Sequence, residues 1–445
     1  MNNIRLQRVN TRGAALLIFV VLFVFISALL TVTIGNGAYA SLREYRVLEA
    51  SKKSFNVTEA GIEDAIYRHK DNKAYSNTEI LTLDGSTATV TRSLNADTYT
   101  FVVEGNEQNA IRRNSMDLAI GTGASFNFGL QSGNGGITMS NSSSVVGNVY
   151  SNGSIVGQGS AIVRGDVISA GSSGLIDSVR ATGSAYAHTI TSSTIDKDAY
   201  YQSIVGSTVF GSACLMNTHC HPGSTDQATS AMPISDEKID EWKSNIQSGG
   251  TIITATSTQC STGTYVIDTN TTLGDVKIMC NVEMQKKGAG TTITLTGPVW
   301  IVGNLSITRG PTIVASSSLN TRSVQLIVDN ESNRATSSKI SVNQSTTFGS
   351  GNASSYVLLL SMNTSAENAG TEKAIDLAQS TNGKVLVYAP HGLIDMGNSI
   401  SLKEVTAYQI EISNGAQVVY ESGLVSVLFT SGPGGGYTIN SWDEI

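Results

Sequence analysis

Four cysteines and two histidines are the residues whose types and spacing could do the most specific chemistry in this 445-residue chain. They cluster in the middle of the sequence: Cys214, His219, Cys220, His221, Cys260 and Cys280. Cysteines that lie outside the cell form disulfides, and the short separations favour Cys214–Cys220 and Cys260–Cys280 among three possible pairings. Zinc bound by cysteine and histidine, or free thiols, are the alternatives. We expect disulfides and no bound metal.

Carboxylates are the second kind of side chain that could carry a reaction. A polysaccharide lyase or hydrolase needs a general acid and base, or a calcium site beside a basic residue. The aspartates here are mostly spread singly, and no serine-hydrolase elbow, zinc-protease motif or phosphate-binding loop is present. Three carboxylates within about 5 Å of one another in a groove, beside a basic residue, would favour such an enzyme. We expect no catalytic residue and no cofactor, and keep this enzyme as the alternative function.

The composition limits the class of protein. Charged residues make up 14% of the chain, against roughly 25% in an average soluble domain. The net charge is −7 and the isoelectric point is near 5.3, so we expect no nucleic-acid partner. The chain has 44 glycines and only 6 prolines, which suits many short strands joined by tight turns.

The N-terminus predicts the compartment. Residues 14–34 carry no charge and are long enough to span a bilayer as a helix. Arg5, Arg8 and Arg12 precede them, which favours a cytoplasmic N-terminus with the rest of the chain outside. A secretory signal peptide cut before Ser41 is the alternative, although the apolar run is longer than such signals need.

An amphipathic helix follows the apolar segment and continues to about residue 70. Its apolar residues recur at steps of three, four and seven. The expected stripe consists of Leu42, Tyr45, Leu48, Phe55, Ile62 and Ile66.

Two short motifs resemble type IV prepilins. Arg12-Gly13 before Ala14-Ala15-Leu16-Leu17 is similar to a class III prepilin signal, in which a membrane prepilin peptidase cuts after the glycine. Thr58-Glu59-Ala60-Gly61 resembles a segment of PilX-like minor pilins. The resemblance implies cleavage between Gly13 and Ala14, a leader of residues 1–13, and an apolar helix that packs with other pilins. An ordinary type II membrane anchor is the alternative.

One position departs from the major pilins. They carry glutamate at the fifth mature position, where this chain has Ile18. Tip-located minor pseudopilins and PilX-like proteins also tend to lack that glutamate. The resemblance therefore implies a minor component instead of a repeating fibre subunit.

A small antiparallel sheet is expected after the helix, within residues 71–121. Segments 87–94, 98–104 and 110–120 have the composition of strands and are separated by turn residues. With helix 14–70 they would form a small α/β pilin-like region.

Repeats mark the remainder, residues 122–445. Gly147, Gly165 and Gly183 are each 18 residues apart. Val149, Val167, Ala185 and Ala199 share one repeat position, and Tyr150, Ile168, Tyr186 and Tyr200 share the next. Similar segments begin at Val385, Val405 and Val425. Units of about 18–25 residues predict a mainly-β, right-handed parallel β-helix, with a β-sandwich as the alternative.

One helix is predicted to interrupt the repeats near residues 234–247. Ser235 is a suitable N-cap, and acidic residues follow it in the first turn. Ile239, Trp242 and Ile246 form an apolar stripe, and Gly249-Gly250 ends the helix.

A second resemblance covers most of residues 135–445. PISDEKIDEWK, VLVYAPHGLIDMGN and the ending SGPGGGYTINSWDEI look like a β-helix domain attached to PilX-like N-termini, many of them in candidate-phyla bacteria. Together these patterns predict a single-pass inner-membrane, pilin-like structural or adhesion protein with its β-helix displayed outside. Membrane lipid, prepilin peptidase and other pilins are the expected partners, with surface glycans or cells as possible targets.

Overall fold

The computed structural model describes residues 11–70, 77–95, 98–120, 122–215, 217–352, 354–421, 424, 427–430 and 437–445. Arg5 and Arg8 of the expected leader lie outside the described residues. The chain divides into two compact units. The first comprises Met1–Asn95, Tyr99–Leu118 and Ile439–Ile445, and the second comprises Ala96–Thr98 and Ala119–Thr438.

Helix α1 runs from Thr11 to Lys70 and has two different halves. The large apolar side chains from Leu16 to Ile34 are all exposed. Among the described residues, Leu16–Arg68 is the one helical segment long and apolar enough to cross a membrane, judged by length and composition. The structure therefore has a long N-terminal apolar helix whose first half is covered by no other part of the described chain.

The second half of α1 packs on a sheet, but not through the whole of the expected stripe. Leu42, Tyr45 and Leu48 are exposed. The buried positions are mostly small or short side chains, Ala50, Ser54, Val57, Thr58, Ile62 and Ala65. Small residues are selected here because the helix axis lies close to the sheet, as the contacts of Gly61 described below show.

The sheet of the first unit has five strands. In order across the sheet they are Thr78–Leu83, Ser86–Asn95, Thr98–Glu107, Ala110–Ile120 and Tyr437–Glu444. The first two strands are antiparallel.

The last strand corrects the domain boundary expected from the sequence. The repeat pattern assigns residues 122–445 to one β domain, whereas Ile439–Ile445 belong to the first unit. Strand Ala110–Ile120 would otherwise leave its outer backbone groups unpaired, and the C-terminal strand pairs with them. The Ile445 amide, for example, donates to the Arg113 carbonyl at 2.9 Å.

The described strands of the second unit are mostly parallel and stack in three columns. The first column contains Leu130–Met139, Val149–Ser151, Val167–Ser169, Ala185–Tyr186, Ala199–Tyr201, Cys220–Pro222, Thr251–Ile253, Val276–Ile278, Val299–Ile301, Val324–Val328, Val357–Ser361, Val385–Asn398 and Glu404–Ile412. The second contains the ends of the long strands Leu130–Met139, Val385–Asn398 and Glu404–Ile412, with Ile155–Gly157, Leu175–Asp177, Thr189–Thr191, Ser203–Val205, Thr264–Ile267, Asn281–Gln285, Leu305–Thr308, Ile340–Val342 and Lys373–Gln379.

The third column is made of two sheets. Its strands are Ser144–Val146, Ile162–Arg164, Arg180–Ala181, Thr194–Ile195, Thr208–Val209, Ser401–Leu402 and Gln417–Val419, and then Thr271–Leu273, Thr292–Leu295, Thr312–Ala315, Thr347–Ser350 and Asn382–Gly383. The remaining elements are α2 (Asp236–Gly249), the 3₁₀ turns Thr258–Cys260 and Ser317–Leu319, and the antiparallel pair Thr122–Ala124 with Val427–Phe429.

The repeat alignment predicted for Val149, Val167, Ala185 and Ala199 is confirmed. Val149 pairs with Val167, Val167 with Ala185, and Ala185 with Ala199. The 20-residue spacing of the late segments does not give their pairing. Val405 pairs with Val387 on one side and with Leu130 on the other.

The third late segment is not a further rung of the column. Val425 lies outside the described residues, and Val427–Phe429 pairs antiparallel with Thr122–Ala124. The parallel position beside Glu404–Ile412 is already taken by Leu130–Met139, so no parallel rung is left for it.

The order of the strands along the stack differs from their order in the sequence. Starting at Leu130, the strands proceed to one end of the stack at Cys220–Pro222. The chain re-enters at the opposite end, at Thr251–Ile253, and its strands proceed back until Val405 pairs with Leu130. The chain therefore enters and leaves the stack at its middle.

Two apolar clusters hold this unit together. The inner cluster lies between the columns and is built from the inward residues of each strand, such as Val149, Ile176 and Val163. The outer cluster covers one face of the first column. Ile239, Trp242 and Ile246 of α2 pack there with Leu358 and Tyr388, so the predicted apolar stripe of α2 is confirmed.

Candidate functional site

The expected processing site lies inside α1. The helix continues through Gly13 and Ala14, and Ile18 is 66% exposed within its apolar half. Cleavage between Gly13 and Ala14 stays a prediction.

The Thr58–Gly61 motif holds α1 close to the sheet. The Thr58 hydroxyl is buried and donates to the Ser54 carbonyl at 2.7 Å. A Cβ added at Gly61 would lie 2.8 Å from Val103 Cγ1, and one added at Gly105 would lie 2.3 Å from the Ser54 carbonyl oxygen. Two glycines, one on the helix and one on the sheet, therefore allow the close approach.

Glu59 of the same motif links the helix to the end of the chain. Its Oε1 accepts a hydrogen bond from Asn114 and another, at 3.3 Å, from Trp442 Nε1. Arg112 and Glu444 add an ion pair at 2.8 Å between the last two strands. The motif thus helps to fix the C-terminal strand in the N-terminal unit.

The structure pairs Cys214 with Cys220 and Cys260 with Cys280, the two pairs that the sequence favours. Each disulfide lies at one end of the stack. Cys220 belongs to a terminal strand at one end, and Cys260 precedes the terminal strand Thr264–Ile267 at the other. Terminal repeats lack a neighbour on one side, so a covalent link stabilises the part of the stack with the fewest contacts.

The histidines beside Cys220 contact an aspartate. His219 Nδ1 lies 2.8 Å from Asp198 Oδ1, and His221 Nε2 lies 3.6 Å from the same oxygen. Within the part of the chain that the structure describes, no group of three His, Cys, Asp or Glu has the arrangement of a metal site.

Aromatic rings form a ladder near the same end. The Tyr186 and Tyr200 rings stack 4.7 Å apart, and Tyr200 and His221 stack 4.5 Å apart. Their faces contact one another, so the faces between rungs are not free to stack on a sugar ring. This ladder stabilises neighbouring strands.

A charged cluster lies where α2 packs on the first column. Lys243 Nζ is within 2.7 Å of one carboxylate oxygen from each of Asp240, Asp329 and Glu331. Arg334 forms two hydrogen bonds with Asp329, at 2.8 and 2.7 Å. These residues line or underlie a cleft of about 470 Å³. Three carboxylates therefore surround one basic residue here, although Asp329 is fully buried beneath the cleft.

The electrostatics of this cluster favour ion pairs over acid catalysis. Burial alone would raise the pKa of Asp329, but hydrogen bonds from Arg334 and Lys243 outweigh it and hold the pKa below the ordinary value. Burial would lower the pKa of Lys243, but hydrogen bonds to the three carboxylates raise it. A general acid needs a raised carboxyl pKa, which Asp329 lacks.

Glu404, unlike Asp329, has a raised carboxyl pKa, but it has no access to a substrate. Burial raises its pKa well above the ordinary value, and its side chain has no exposed surface. The Thr406 hydroxyl donates to it. A carboxyl with no exposed surface cannot touch an external substrate.

Nothing in the sequence pattern links Lys243 to Asp329, which lie 86 residues apart. One signal exists. Lys243 directly follows Trp242 and lies between Ile239 and Ile246, on the buried side of α2. A lysine inside an apolar stripe predicts a buried partner of opposite charge.

Comparisons with known proteins add little to this description. No protein-family model matches the chain, and no curated protein matches it. Among solved structures, the competence-associated pilin ComZ from Thermus thermophilus matches with a TM-score of 0.26 and 12% identity. That match covers 89% of this chain and 98% of the ComZ chain. A similarity of this size carries no argument about fold or function.

Proposed function

We propose that this chain is a membrane-anchored, pilin-like structural protein that displays a rigid β domain outside the cell, as a minor component of a type IV pilus-like system. The observation that carries the proposal is the division of α1. Its first half exposes an uninterrupted apolar surface, and its second half packs on a sheet through the Thr58–Gly61 motif. Lipid covers the first half in the membrane, and the helices of other pilins cover it in a fibre.

The displayed domain is a right-handed parallel β-helix. The in-register pairing of strands 14 to 35 residues apart supports this architecture, because such pairing brings successive repeats side by side. Crossover connections between parallel strands are right-handed in about 98% of cases. Disulfides at both ends and an apolar cover on one face make this domain a rigid element suited to contact with cells or surface glycans.

A polysaccharide-active enzyme is the second candidate, because three carboxylates surround Lys243 beside a cleft. Two features disfavour it. Asp329 is fully buried and paired with two cations, and the pKa of its carboxyl is lowered. A substrate would contact only the more exposed Asp240 and Glu331, both of which bind the same ammonium group.

Fibre composition tests the proposed role. Ile18 removes the buried charge that major pilins carry, together with the contact that it makes to a neighbouring subunit. Purified fibres should therefore contain this protein in trace amounts relative to the major pilin, and fibre number should fall when the gene is deleted. The Ile18→Glu variant should raise the ratio, and Ile18→Leu is its control. A wild-type ratio near one to one contradicts the proposal.

A further inference from the structure

Lys243 and Asp329 bring an amine and a carboxyl group together in a closed environment. Lys243 is 3% exposed and Asp329 is fully buried, and Nζ lies 2.7 Å from Oδ2. Buried lysine and aspartate are both rare, and a buried ion pair loses much of its Coulomb gain to desolvation. The pair therefore has a chemical alternative, since an amide carries neither charge.

The surrounding structure fixes both reacting groups. Lys243 projects from α2, which is anchored by Trp242 in the outer cluster. The main chain of Asp329 is held on both sides, because its amide donates to the Ile301 carbonyl at 3.0 Å and its carbonyl accepts from Trp300 Nε1 at 2.9 Å. Groups that are already in contact and cannot move apart have effective concentrations far above those in solution.

Two neighbours supply the proton transfer and the charge stabilisation that a condensation needs. Glu331 Oε1 lies 2.6 Å from Lys243 Nζ and is partly open to solvent, so it can accept a proton from the ammonium. Arg334 holds both oxygens of Asp329, so its guanidinium can stabilise the negative oxygen of a tetrahedral intermediate.

We propose that Lys243 and Asp329 condense into an intramolecular amide bond. The ammonium passes a proton through Glu331 to one carboxylate oxygen of Asp329, and the free amine attacks Cγ of the neutral carboxyl group to form the new N–C bond. The C–O bond to one carboxylate oxygen then breaks, and that oxygen leaves as water with two hydrogens that came from the ammonium. One hydrogen stays on the amide nitrogen, and Glu331 returns to its starting state, so atoms and charge balance and no oxidant is needed.

The resting state of the pair explains why Glu331 is required. The hydrogen bonds described above hold the lysine and the aspartate in their charged forms, and neither charged form reacts. Relay of one proton from Lys243 through Glu331 to Asp329 converts the ion pair into a neutral amine, which is the nucleophile, and a neutral carboxyl group, which is the electrophile. The amide would join α2 to the strand column across 86 residues and keep the helix attached under force.

Intact-mass spectrometry tests the proposal directly. The mature wild-type chain should be lighter, by one water molecule, than its sequence mass corrected for two disulfides. Tryptic digestion should give one branched peptide that joins Lys243 to Asp329. A full mass, with Lys243 recovered in an unbranched peptide, overturns the proposal.

Variants separate this reaction from other losses of water. Lys243→Arg and Asp329→Ala remove the reacting groups, and Glu331→Gln removes the proton carrier while leaving the buried pair in place. Lys243→Arg and Glu331→Gln should recover the full mass, and Lys277→Arg, a change at a lysine over the Trp300 ring, should retain the loss. Persistence of the water loss in Lys243→Arg would indicate an Asp329 succinimide and overturn the proposal. Its persistence in Glu331→Gln would overturn the role of Glu331.

Discussion

The two halves of α1 show that hydrophobic content does not by itself determine burial. Residues 16–34 are almost entirely apolar, and their large side chains are exposed. Residues 50–65 contain many polar side chains, yet Ser54 and Thr58 are fully buried there. The difference lies in what each half meets. The first half contacts no other part of the described chain, whereas the second half packs on the sheet of its own unit.

The largest expected effect comes from a charge in the exposed half. Val24→Asp places a carboxylate near the centre of the apolar segment, which costs about 3 kcal/mol of insertion free energy at a bilayer centre. We expect the variant to be lost from the membrane fraction, while the folded units keep the stability of the wild type. Fractionation followed by immunoblotting measures the first effect. Val24→Leu is the control, and equal membrane retention of all three proteins would contradict the comparison.

A larger side chain in the packed half of α1 should lower the stability of the folded unit and leave membrane retention unchanged. Gly61→Leu places a Cβ 2.8 Å from Val103 Cγ1, and overpacking of this kind costs about 2 kcal/mol of unfolding free energy. Membrane retention should not change. Hydrogen exchange in residues 98–118 measures the local loss of protection. The same substitution at Gly37, which has no atom within 4 Å, is the matched control and should leave exchange unchanged.

The smallest effect compares two identical hydrogen bonds. Thr58 and Thr31 both donate a hydroxyl to the carbonyl four residues earlier, at 2.7 and 2.8 Å. Thr58 is buried and Thr31 is exposed, so Thr58→Val should lower the unfolding free energy by about 1 kcal/mol. Thr31→Val should leave it unchanged. Denaturant unfolding of the two variants in the same detergent measures the difference, and equal losses would show that burial is not the cause.

Sequence reasoning succeeds where one local rule applies. The apolar run of α1, the Ser235 cap and apolar stripe of α2, and the register of Val149 with Val167 all follow from composition or periodicity. The favoured cysteine pairs are also the pairs in the structure, because each closes a short loop.

The remaining features depend on contacts distant in sequence. No periodicity shows that Val405 pairs with Leu130, since the late repeats have the same composition as the early ones. The C-terminal strand Tyr437–Glu444 follows the β domain in sequence but pairs with a strand more than 300 residues earlier. The Lys243 cluster likewise requires α2 to be placed on the column before Asp329 can be recognised as a partner.

The mature N-terminus of the protein in a membrane fraction is the most direct test of the central claim. The account predicts a chain that begins at Ala14 after cleavage behind Gly13, with the apolar half of α1 retained. Gly13→Val should leave the precursor uncut when the peptidase is present. A mature chain that begins at Ser41 would contradict the account, because a removed signal peptide would leave no apolar helix to anchor the protein or to pack with other pilins.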